Sequence, residues 1–341
     1  MANTDSIVCI AVDQGNYNMK SFGPSKRCKP FPTGVNHHGE VPPPMLNGAL
    51  HYKGKYYSIC ENRLQARRNK TSDEDYLILT LAAIARELRE EWPEREKHER
   101  EKHECKVGLA LGLPVEHLSL KVDGVLLKDK YKSFFGNNGL PLEFEYEGSP
   151  YRVQIVDVSV FPQTISAAAS DAKVWQRVVT APRSYIIDIG GGTTNVIGII
   201  NGEPQNPGIT LENAGVLQLF KDVERHVRED CGISLDDFMV DSILRGIQQC
   251  PNSIRQSICN AADEFVRKRI NDLQDGRNVD MLMGQLCFVG GGSVLLFEVF
   301  QKFLKRDDLI LIPDVCANAK GYYYQEVSKL NRNGRLVYYH A

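Results

Sequence analysis

The sequence lacks a charge excess of either sign. Its 341 residues include 41 Lys and Arg against 43 Asp and Glu, which gives a formal net charge of −2. A broad surface for nucleic acid requires a clear positive excess. We therefore expect any contact with DNA to be local or to run through a partner protein.

Long apolar segments and paired cysteines are also lacking. No apolar stretch approaches the roughly 20 residues that span a bilayer, and the polar start, MANTDS, is not typical of a secretory signal. The nine cysteines are odd in number, scattered and never in a CxxC pair. That pattern favours reduced thiols over a disulfide frame or a zinc site. The sequence thus predicts a cytoplasmic protein without membrane contact.

Strands and helices alternate along the chain. Short apolar runs predict strands buried inside a sheet that helices cover; they are Ile7–Val12, Val107–Leu113, Tyr185–Ile189, Val196–Ile200, Leu286–Val289 and Leu309–Ile312. Apolar residues at helical spacing, with a T-x-x-E capping box at the first start, predict helices over Thr71–Glu91, Ala214–Glu229, Ile254–Leu273 and Ser293–Leu304. The alternation predicts an α/β protein.

Two loops in separate halves of the chain share one pattern. In each, an apolar strand ends at an aspartate, which is Asp13 in the first loop and Asp188 in the second. The chain then turns through a glycine two residues after the aspartate, at Gly15 and Gly190. The repeated pattern predicts two related halves.

Loops of this kind suit a phosphate group. Glycine lets the backbone approach a phosphate closely and leaves N–H groups to donate. In the second loop the glycines at 190, 191 and 192 precede Thr193 and Thr194, whose hydroxyls can add donors. In the first, Lys20 can reach the β- and γ-phosphates as a point charge.

The two aspartates add a requirement for a cation. Asp13 and Asp188 would face the same anion, and two carboxylates beside a triphosphate make sense only with a cation between them. Mg²⁺ keeps most of its waters and is often held by one or two carboxylates plus phosphates. The sequence therefore predicts a magnesium nucleotide.

A third glycine cluster, Gly290-Gly291-Gly292-Ser293, follows a predicted strand and opens a helix. A helix N-terminus with glycines before it suits an adenosine or phosphate group. The absence of a G-x-x-x-x-G-K-[ST] loop excludes a P-loop NTPase, and the absence of an opening G-x-G-x-x-G disfavours a dinucleotide Rossmann site. Any one of these loops alone is often an ordinary turn, but three in this order favour a nucleotide site.

In these motifs the sequence resembles the actin superfamily, which includes actins, chaperone ATPase domains and sugar kinases. Asp13–Lys20 and Asp188–Thr194 look like its two phosphate motifs, Phe288–Ser293 looks like its adenosine motif, and Val158–Ala168 looks like its first connecting helix. The resemblance covers nearly the whole chain. It implies two actin-like (ribonuclease-H-like) domains, residues 1–165 plus 318–341 and residues 166–317, with a nucleotide cleft between them.

Within the superfamily the sequence is most similar to the ParM-type plasmid-segregation actins. The segment Gly108–Pro114 resembles their strand and "GLP" turn, and Asn318–Tyr323 looks like the segment that returns the chain to the first domain. The resemblance implies an ATPase, or also a GTPase, that cleaves the β–γ bond and assembles into filaments. Such filaments move plasmid DNA through a ParR-type DNA-binding adaptor on a centromere, without binding DNA themselves.

The resemblance also implies roles for single residues. Gln163 stands where many ParM-type proteins have a glutamate; a glutamine is no strong base, but it can orient an attacking water. Asp13 and Asp188 would be catalytic with it and hold Mg²⁺ through water. The residues expected to bind the nucleotide are Gly15, Asn16, Lys20, Gly190, Gly191, Gly192, Thr193, Thr194, Gly290, Gly291, Gly292, Ser293 and, at the ribose, Asp241.

Two other functions stay open on the sequence. A sugar or carboxylate kinase would use the same nucleotide motifs, although no clear sugar-binding loop is recognisable. An actin-like scaffold for cell shape or division is the other alternative. Candidate filament contacts are the charged stretch 94–104 and the loop at Pro42-Pro43-Pro44.

Overall fold

The computed structural model describes residues 6–67, 69–91, 105–335 and 337. The chain divides into two compact units. Unit 1 consists of Met1–Ser170 and Asn318–Ala341, and unit 2 of Asp171–Ala317. The charged stretch 94–104 lies outside the described residues.

Unit 1 is built on a nine-stranded sheet of order β3-β2-β1-β7-β11-β10-β5-β6-β4. The strands of this unit, of which β8 and β9 form a separate pair, are β1 (Val8–Gln14), β2 (Asn18–Phe22), β3 (Phe31–Pro32), β4 (Val35–Gly39), β5 (Ala49–Tyr52), β6 (Lys55–Ile59), β7 (Cys105–Leu113), β8 (Lys121–Val122), β9 (Val125–Leu126), β10 (Leu142–Tyr146) and β11 (Ser149–Pro162). The central strands β1, β7 and β11 are parallel, so their carboxyl ends meet at one edge of the sheet.

Unit 2 is built on a six-stranded sheet in which β14-β13-β12-β16-β17 follow one another and β15 pairs with β13. Its strands are β12 (Arg183–Ile189), β13 (Thr193–Ile200), β14 (Glu203–Pro204), β15 (Ile209–Glu212), β16 (Gln285–Val289) and β17 (Ile310–Leu311). The strands β12, β16 and β17 are parallel, so they too end together.

Helices pack on both sheets. They are α1 (Glu74–Glu91), α2 (Leu127–Phe135), α3 (Ile165–Ala169), α4 (Ala172–Thr180), α5 (Val216–Cys231), α6 (Asp237–Leu244), α7 (Asn252–Arg277), α8 (Gly291–Leu304) and α9 (Ala317–Arg332). In α1 the apolar residues at helical spacing, Leu77, Leu81, Ile84 and Leu88, are all buried. The burial of this stripe against the sheet explains why the segment is helical, since most helix stability comes from such packing.

The predicted α/β class is confirmed, and the strands and helices are found with some boundaries shifted. The segment Val158–Ala168, expected to resemble a connecting helix, is instead the end of β11 followed by the short helix α3, because its first residues pair with β7. The first helix was expected to begin at Thr71, but Thr71 lies in a short 3₁₀ helix, Lys70–Ser72, and α1 begins at Glu74. The Asn69 side chain accepts from the Thr71 backbone N–H at 3.1 Å, so Asn69 caps the 3₁₀ turn in place of the expected capping box.

Seven cysteines are free thiols in the structure. Cys28 and Cys316 are instead disulfide-bonded, so the expectation of reduced thiols was wrong at these two positions. In the described part of the chain, no helix combines the length and apolar character needed to cross a membrane. The same residues contain no cluster of His, Cys, Asp and Glu side chains that could ligate a metal ion by themselves.

Candidate functional site

The first glycine loop joins β1 to β2 in unit 1. The two strands are antiparallel, and their register places Asp13 opposite Lys20. The Lys20 Nζ lies 3.0 Å from the Asp13 Oδ2, and the Asp13 side chain is buried. The seven-residue spacing of the motif thus brings its carboxylate and its ammonium into one ion pair.

Three consecutive carbonyls of this loop are occupied by donors from the protein. The Asp13 carbonyl accepts from the Gly15 N–H at 3.0 Å, the Gln14 carbonyl from the Lys70 Nζ, and the Gly15 carbonyl from the Thr33 Oγ1 at 2.7 Å. In a trans peptide the C=O and the following N–H point in opposite directions. Holding the Gly15 carbonyl therefore turns the Asn16 N–H away from Thr33, as a loop that binds an anion needs.

Glycine is required at the turn itself. A Cβ on Gly15 would lie 2.5 Å from the Asn18 carbonyl oxygen, which is much closer than carbon and oxygen can approach. The Asp-x-Gly pattern is thus a steric requirement of this hairpin.

Gln163 reaches the first glycine loop from the end of β11. The end of β11 lies beside the end of β7, with Pro162 opposite Leu113, and the Gln163 N–H donates to the Leu113 carbonyl at 2.8 Å. The Gln163 Nε2 lies 3.4 Å from the Asp13 Oδ1. With its amide nitrogen on Asp13, Gln163 keeps its side-chain oxygen for a water molecule.

The backbone just after Gln163 is strained. Thr164 has φ 69° and ψ −57°, and the Ile165 N–H donates to the Gln163 carbonyl at 2.7 Å, which makes a γ-turn of the rare kind. A β-branched residue seldom has positive φ. The Thr164 N–H is held by the Asn318 Oδ1 at 3.0 Å. Such strain persists only where surrounding contacts enforce it, and it often marks functional sites.

The second glycine loop, in unit 2, also has its carbonyls held by the protein. The hairpin closes with the Gly190 N–H on the Thr193 carbonyl at 2.9 Å. The carbonyls of the three glycines accept from backbone N–H groups around the start of α5: Gly190 from Val216 at 3.0 Å, Gly191 from Leu217 at 3.0 Å and Gly192 from Ala214 at 3.2 Å. As in unit 1, the loop carbonyls are held by the protein.

The third glycine cluster lies beside Asp188. In the parallel pairing of β12 and β16, Asp188 is opposite Val289, so both strands end at the same level. Gly290 has φ +88°, and a Cβ there would lie 2.2 Å from the Asp188 Oδ1. The structure therefore brings Asp188, the loop 190–192 and the start of α8 together in unit 2.

The hydroxyl groups of Thr193, Thr194 and Ser293 differ in whether they can donate to a ligand. The buried Thr194 hydroxyl donates to the Ala214 carbonyl at 2.7 Å, and the buried Ser293 hydroxyl to the Ile187 carbonyl at 3.4 Å. Both are therefore bonded within the framework. Thr193 is half-buried and its Oγ1 accepts from the Asn195 Nδ2 at 3.3 Å, which leaves its proton to donate.

A cavity of about 1080 Å³ lies in unit 2 among α5, α7 and β15. Its polar lining is Thr210, Glu212, Asn213, Gln218, Asp222, Arg225, Glu264, Lys268, Arg269, Asp272 and Arg277. Asn213 directly precedes Ala214, whose N–H holds the Gly192 carbonyl, so the cavity adjoins the second glycine loop. Asp241 is not in this lining; it lies on α6, with its carboxylate 2.7 Å from the Arg245 Nε.

Arg269 is the most enclosed charge of the cavity. Its side chain is buried, and its Nη2 lies 3.0 Å from the Asp272 Oδ2. Its Nε finds no hydrogen-bond partner within the described residues. Burial lowers the pKa of Arg269, and the neighbouring Asp272 and Asp222 oppose that shift.

Sequence reasoning missed Lys70 and the polar lining of the cavity. Withdrawal from water lowers the pKa of Lys70 to about 8; Asp13 opposes this shift and Lys20 adds to it. The only sequence signal for Lys70 was a polar Asn69-Lys70-Thr71 run before a helix. For the cavity, Glu264, Lys268 and Asp272 recur every four residues on α7, a pattern that equally describes a solvated helix face.

Comparisons with known proteins bear on the fold. No protein-family model matches the sequence, and no curated protein matches it. Solved structures do match over nearly the whole length. An archaeal actin homolog, Ta0583, in complex with ADP superposes with a TM-score of 0.71 at 17% identity, over 95% of this chain and 100% of that chain.

Two ParM structures match comparably. An apo psk41 ParM protein has a TM-score of 0.67 at 14% identity, over 96% of this chain and 99% of that chain. A 15-stranded ParM filament from Clostridium botulinum has a TM-score of 0.68 at 16% identity, over 95% of this chain and 99% of that chain. These matches show that the chain has the two-domain actin-like fold that its motifs resemble.

Proposed function

We propose that this chain is an actin-like ATPase that polymerises on binding a magnesium nucleotide. One observation carries the proposal: each unit contains a glycine loop whose consecutive carbonyls are held by the protein, next to a buried carboxylate at a strand end. Two such loops in one chain fit a polyphosphate and its cation. The similarity to structures of ParM proteins, one of them a filament, supports the polymerising form of this fold.

Unit 1 would neutralise the phosphates and position water. Lys20 now pairs with Asp13, and it can exchange that carboxylate for a phosphate oxygen because a lysine ammonium is a flexible point charge. Gln163, held through its nitrogen on Asp13, would direct its oxygen toward the attacking water. Phosphoryl transfer depends mostly on such positioning and on electrostatic stabilisation.

Unit 2 would bind the rest of the nucleotide. The amides of the loop 190–192 and the Thr193 hydroxyl would donate to phosphate oxygens. The adjoining cavity is large enough for a nucleoside, and most of its lining side chains are polar. Asp13 and Asp188 are buried carboxylates, and their hard oxygen atoms fit Mg²⁺ held through water. When bound, that ion reduces the negative charge of the phosphates.

The biological role follows from assembly. A head-to-tail polymer uses a heterologous interface that does not close into a ring. Loss of the γ-phosphate would remove a contact that favours the assembling conformation. We place the filament in plasmid segregation in the cytoplasm. The near-neutral charge agrees with DNA contact through an adaptor of the ParR type.

Light scattering with pelleting of the pure full-length chain tests this function. We expect scattering to rise on addition of MgATP and to decay as phosphate is released, whereas a non-hydrolysable analogue should hold the filament. MgGTP, tested in parallel, decides the base preference. If the protein does not assemble at tens of micromolar and shows slow ATP turnover that a sugar accelerates, the filament proposal is wrong and a sugar kinase is favoured.

A further inference from the structure

A lysine outside the sequence motifs lies at the first glycine loop. Lys70 begins the 3₁₀ helix that Asn69 caps. Its half-buried side chain passes the Tyr76 ring, with the Nζ 5.1 Å from the ring centroid. The Nζ donates to the Gln14 carbonyl, one residue after Asp13. The Asn69 cap, the Tyr76 ring and the Gln14 carbonyl together hold the Lys70 ammonium at the turn of the hairpin.

The two lysines at the hairpin bond different groups. Asp13 is paired with Lys20 at 3.0 Å. Lys70, in contrast, bonds a neutral carbonyl, and no carboxylate of the described residues forms an ion pair with it. The lowered pKa of Lys70 agrees with this arrangement, because a positive charge withdrawn from water and only partly compensated is costly.

We propose that Lys70 is a second cationic residue of the phosphate site and recognises the charge of the terminal phosphates. This inference rests on the proposed function, since it assumes that a nucleotide occupies the first hairpin. An ammonium has three N–H donors, so Lys70 can keep its bond to Gln14 and still donate to a phosphate oxygen. A phosphate would also place a negative charge beside the Lys70 ammonium, which now bonds a neutral carbonyl.

Two variants separate the charge of Lys70 from its support of the loop. Lys70→Gln removes the charge but keeps an N–H donor for the Gln14 carbonyl, whereas Lys70→Met removes both. Lys55→Met is the matched control, because Lys55 is an exposed lysine of unit 1 on β6. Affinities for AMP, ADP and a non-hydrolysable ATP analogue are measured by calorimetry, below the protein concentration at which scattering rises.

We expect both Lys70 variants to bind the ATP analogue about tenfold more weakly, as the loss of one hydrogen bond to a charged group predicts. The loss should be smaller for ADP and absent for AMP, while Lys55→Met behaves as the wild type. An equal loss for all three nucleotides would mean that Lys70 only supports the loop, and it would overturn the proposal. So would unchanged affinities in Lys70→Gln.

The unfolding temperature of each variant is measured alongside. If Lys70→Met fails to fold, the Lys70→Gln comparison across the three nucleotides decides the proposal. A wild-type chain that binds none of the nucleotides would refute the proposed function itself. A wild type that binds while the variants keep its affinity ratios would refute the role of Lys70 alone.

Discussion

The Asp188 carboxylate shows how tightly single residues are constrained in this site. It is only 5% exposed, and it lies so close to Gly290 that no side chain fits at position 290. In the proposed function this carboxylate lies beside the loop 190–192 and the start of α8, where the nucleotide and its cation would bind. Asp188 is therefore the residue on which the proposed chemistry depends most.

Asp188→Asn keeps the shape of the side chain and removes its charge. We expect phosphate release to fall at least about a hundredfold, the usual effect of deleting one preorganised electrostatic group. Phosphate release from MgATP is the measurement. Glu203→Gln, on the exposed strand β14, is the control and should behave as the wild type. Near-normal turnover in Asp188→Asn would refute the assignment of the site.

Gln163 has a different proposed role, because it would orient water and would not bind phosphate. Gln163→Ala should slow hydrolysis about a hundredfold, the scale of a misplaced reactant, and leave nucleotide affinity within about twofold. Single-turnover hydrolysis and calorimetry separate the two quantities. If affinity is lost as well, Gln163 supports the hairpin through Asp13 and does not position water.

At the scale of elements, the two glycine loops are held in different ways. In unit 1 the donors to the loop carbonyls come from side chains of distant segments, Lys70 and Thr33, as well as from the loop itself. In unit 2 they are backbone amides around the start of α5. Side chains can be exchanged without changing the fold, whereas the α5 contacts are part of it. Side-chain substitutions should therefore be able to disturb the first loop without disturbing the fold, which is harder to achieve at the second loop.

Helix α9 carries a buried charge that the proposed chemistry does not use. Glu326 is fully buried against the sheet of unit 1, and its Oε1 lies 3.7 Å from the Lys329 Nζ. Removal from water raises the pKa of Glu326 above its ordinary 4.5; Ser159 and Lys329 oppose the shift and Asp157 adds to it. The carboxyl thus holds its proton more firmly in the folded chain than in the unfolded one.

The sign of the resulting pH dependence is defined. Between the ordinary pKa and the raised folded pKa the folded state binds more protons, so the free energy of unfolding falls as pH rises through that window. Glu326→Gln is neutral at every pH and should escape this loss. We expect the variant to gain stability relative to the wild type as pH increases from 4.5 upward. Urea unfolding midpoints at several pH values measure it, and parallel profiles would contradict the expectation.

At the scale of the whole molecule, assembly into a filament needs a surface that stays exposed in the folded chain. The loop between β4 and β5 exposes Val41, Met45 and Leu46, by 70%, 73% and 56%, around the three prolines that the sequence suggested as a contact. Clustered exposed apolar side chains mark interaction surfaces. In a filament the second copy of this chain is the partner expected to cover them.

Met45→Asp places a charge in this loop without touching the nucleotide site. We expect the protein concentration needed for MgATP-dependent scattering to rise at least about tenfold, since a charge buried without a partner costs more than 1.4 kcal/mol. Nucleotide affinity of the dilute protein should stay the same. Leu140→Asp, 63% exposed elsewhere in unit 1, is the control. Unchanged assembly in Met45→Asp would exclude the loop from the filament contact.

The sequence by itself determined the α/β class, most strands and helices, and the three glycine motifs. These features are local, because burial periodicity, turn glycines and strand-end aspartates act over a few neighbouring residues. The actin-like fold followed from the motifs and their order. Only the start of helix α1 was predicted about one turn too early, because Asn69 caps a 3₁₀ turn first. A turn of three residues is too short to show a recognisable apolar periodicity.

Only the tertiary structure decided which polar groups meet. Asp13, Gln163 and Lys70 are far apart in sequence. They come together because β1 and β11 end at the same edge of the sheet, on either side of β7, and because the segment before α1 passes the hairpin. The tertiary structure also decided that the Thr194 and Ser293 hydroxyls donate to backbone carbonyls of the protein. It likewise decided that α5 and α7 enclose a cavity that Asp241 does not line. A polar side chain finds its partners through the packing of distant elements, and a single sequence contains no direct signal of that packing.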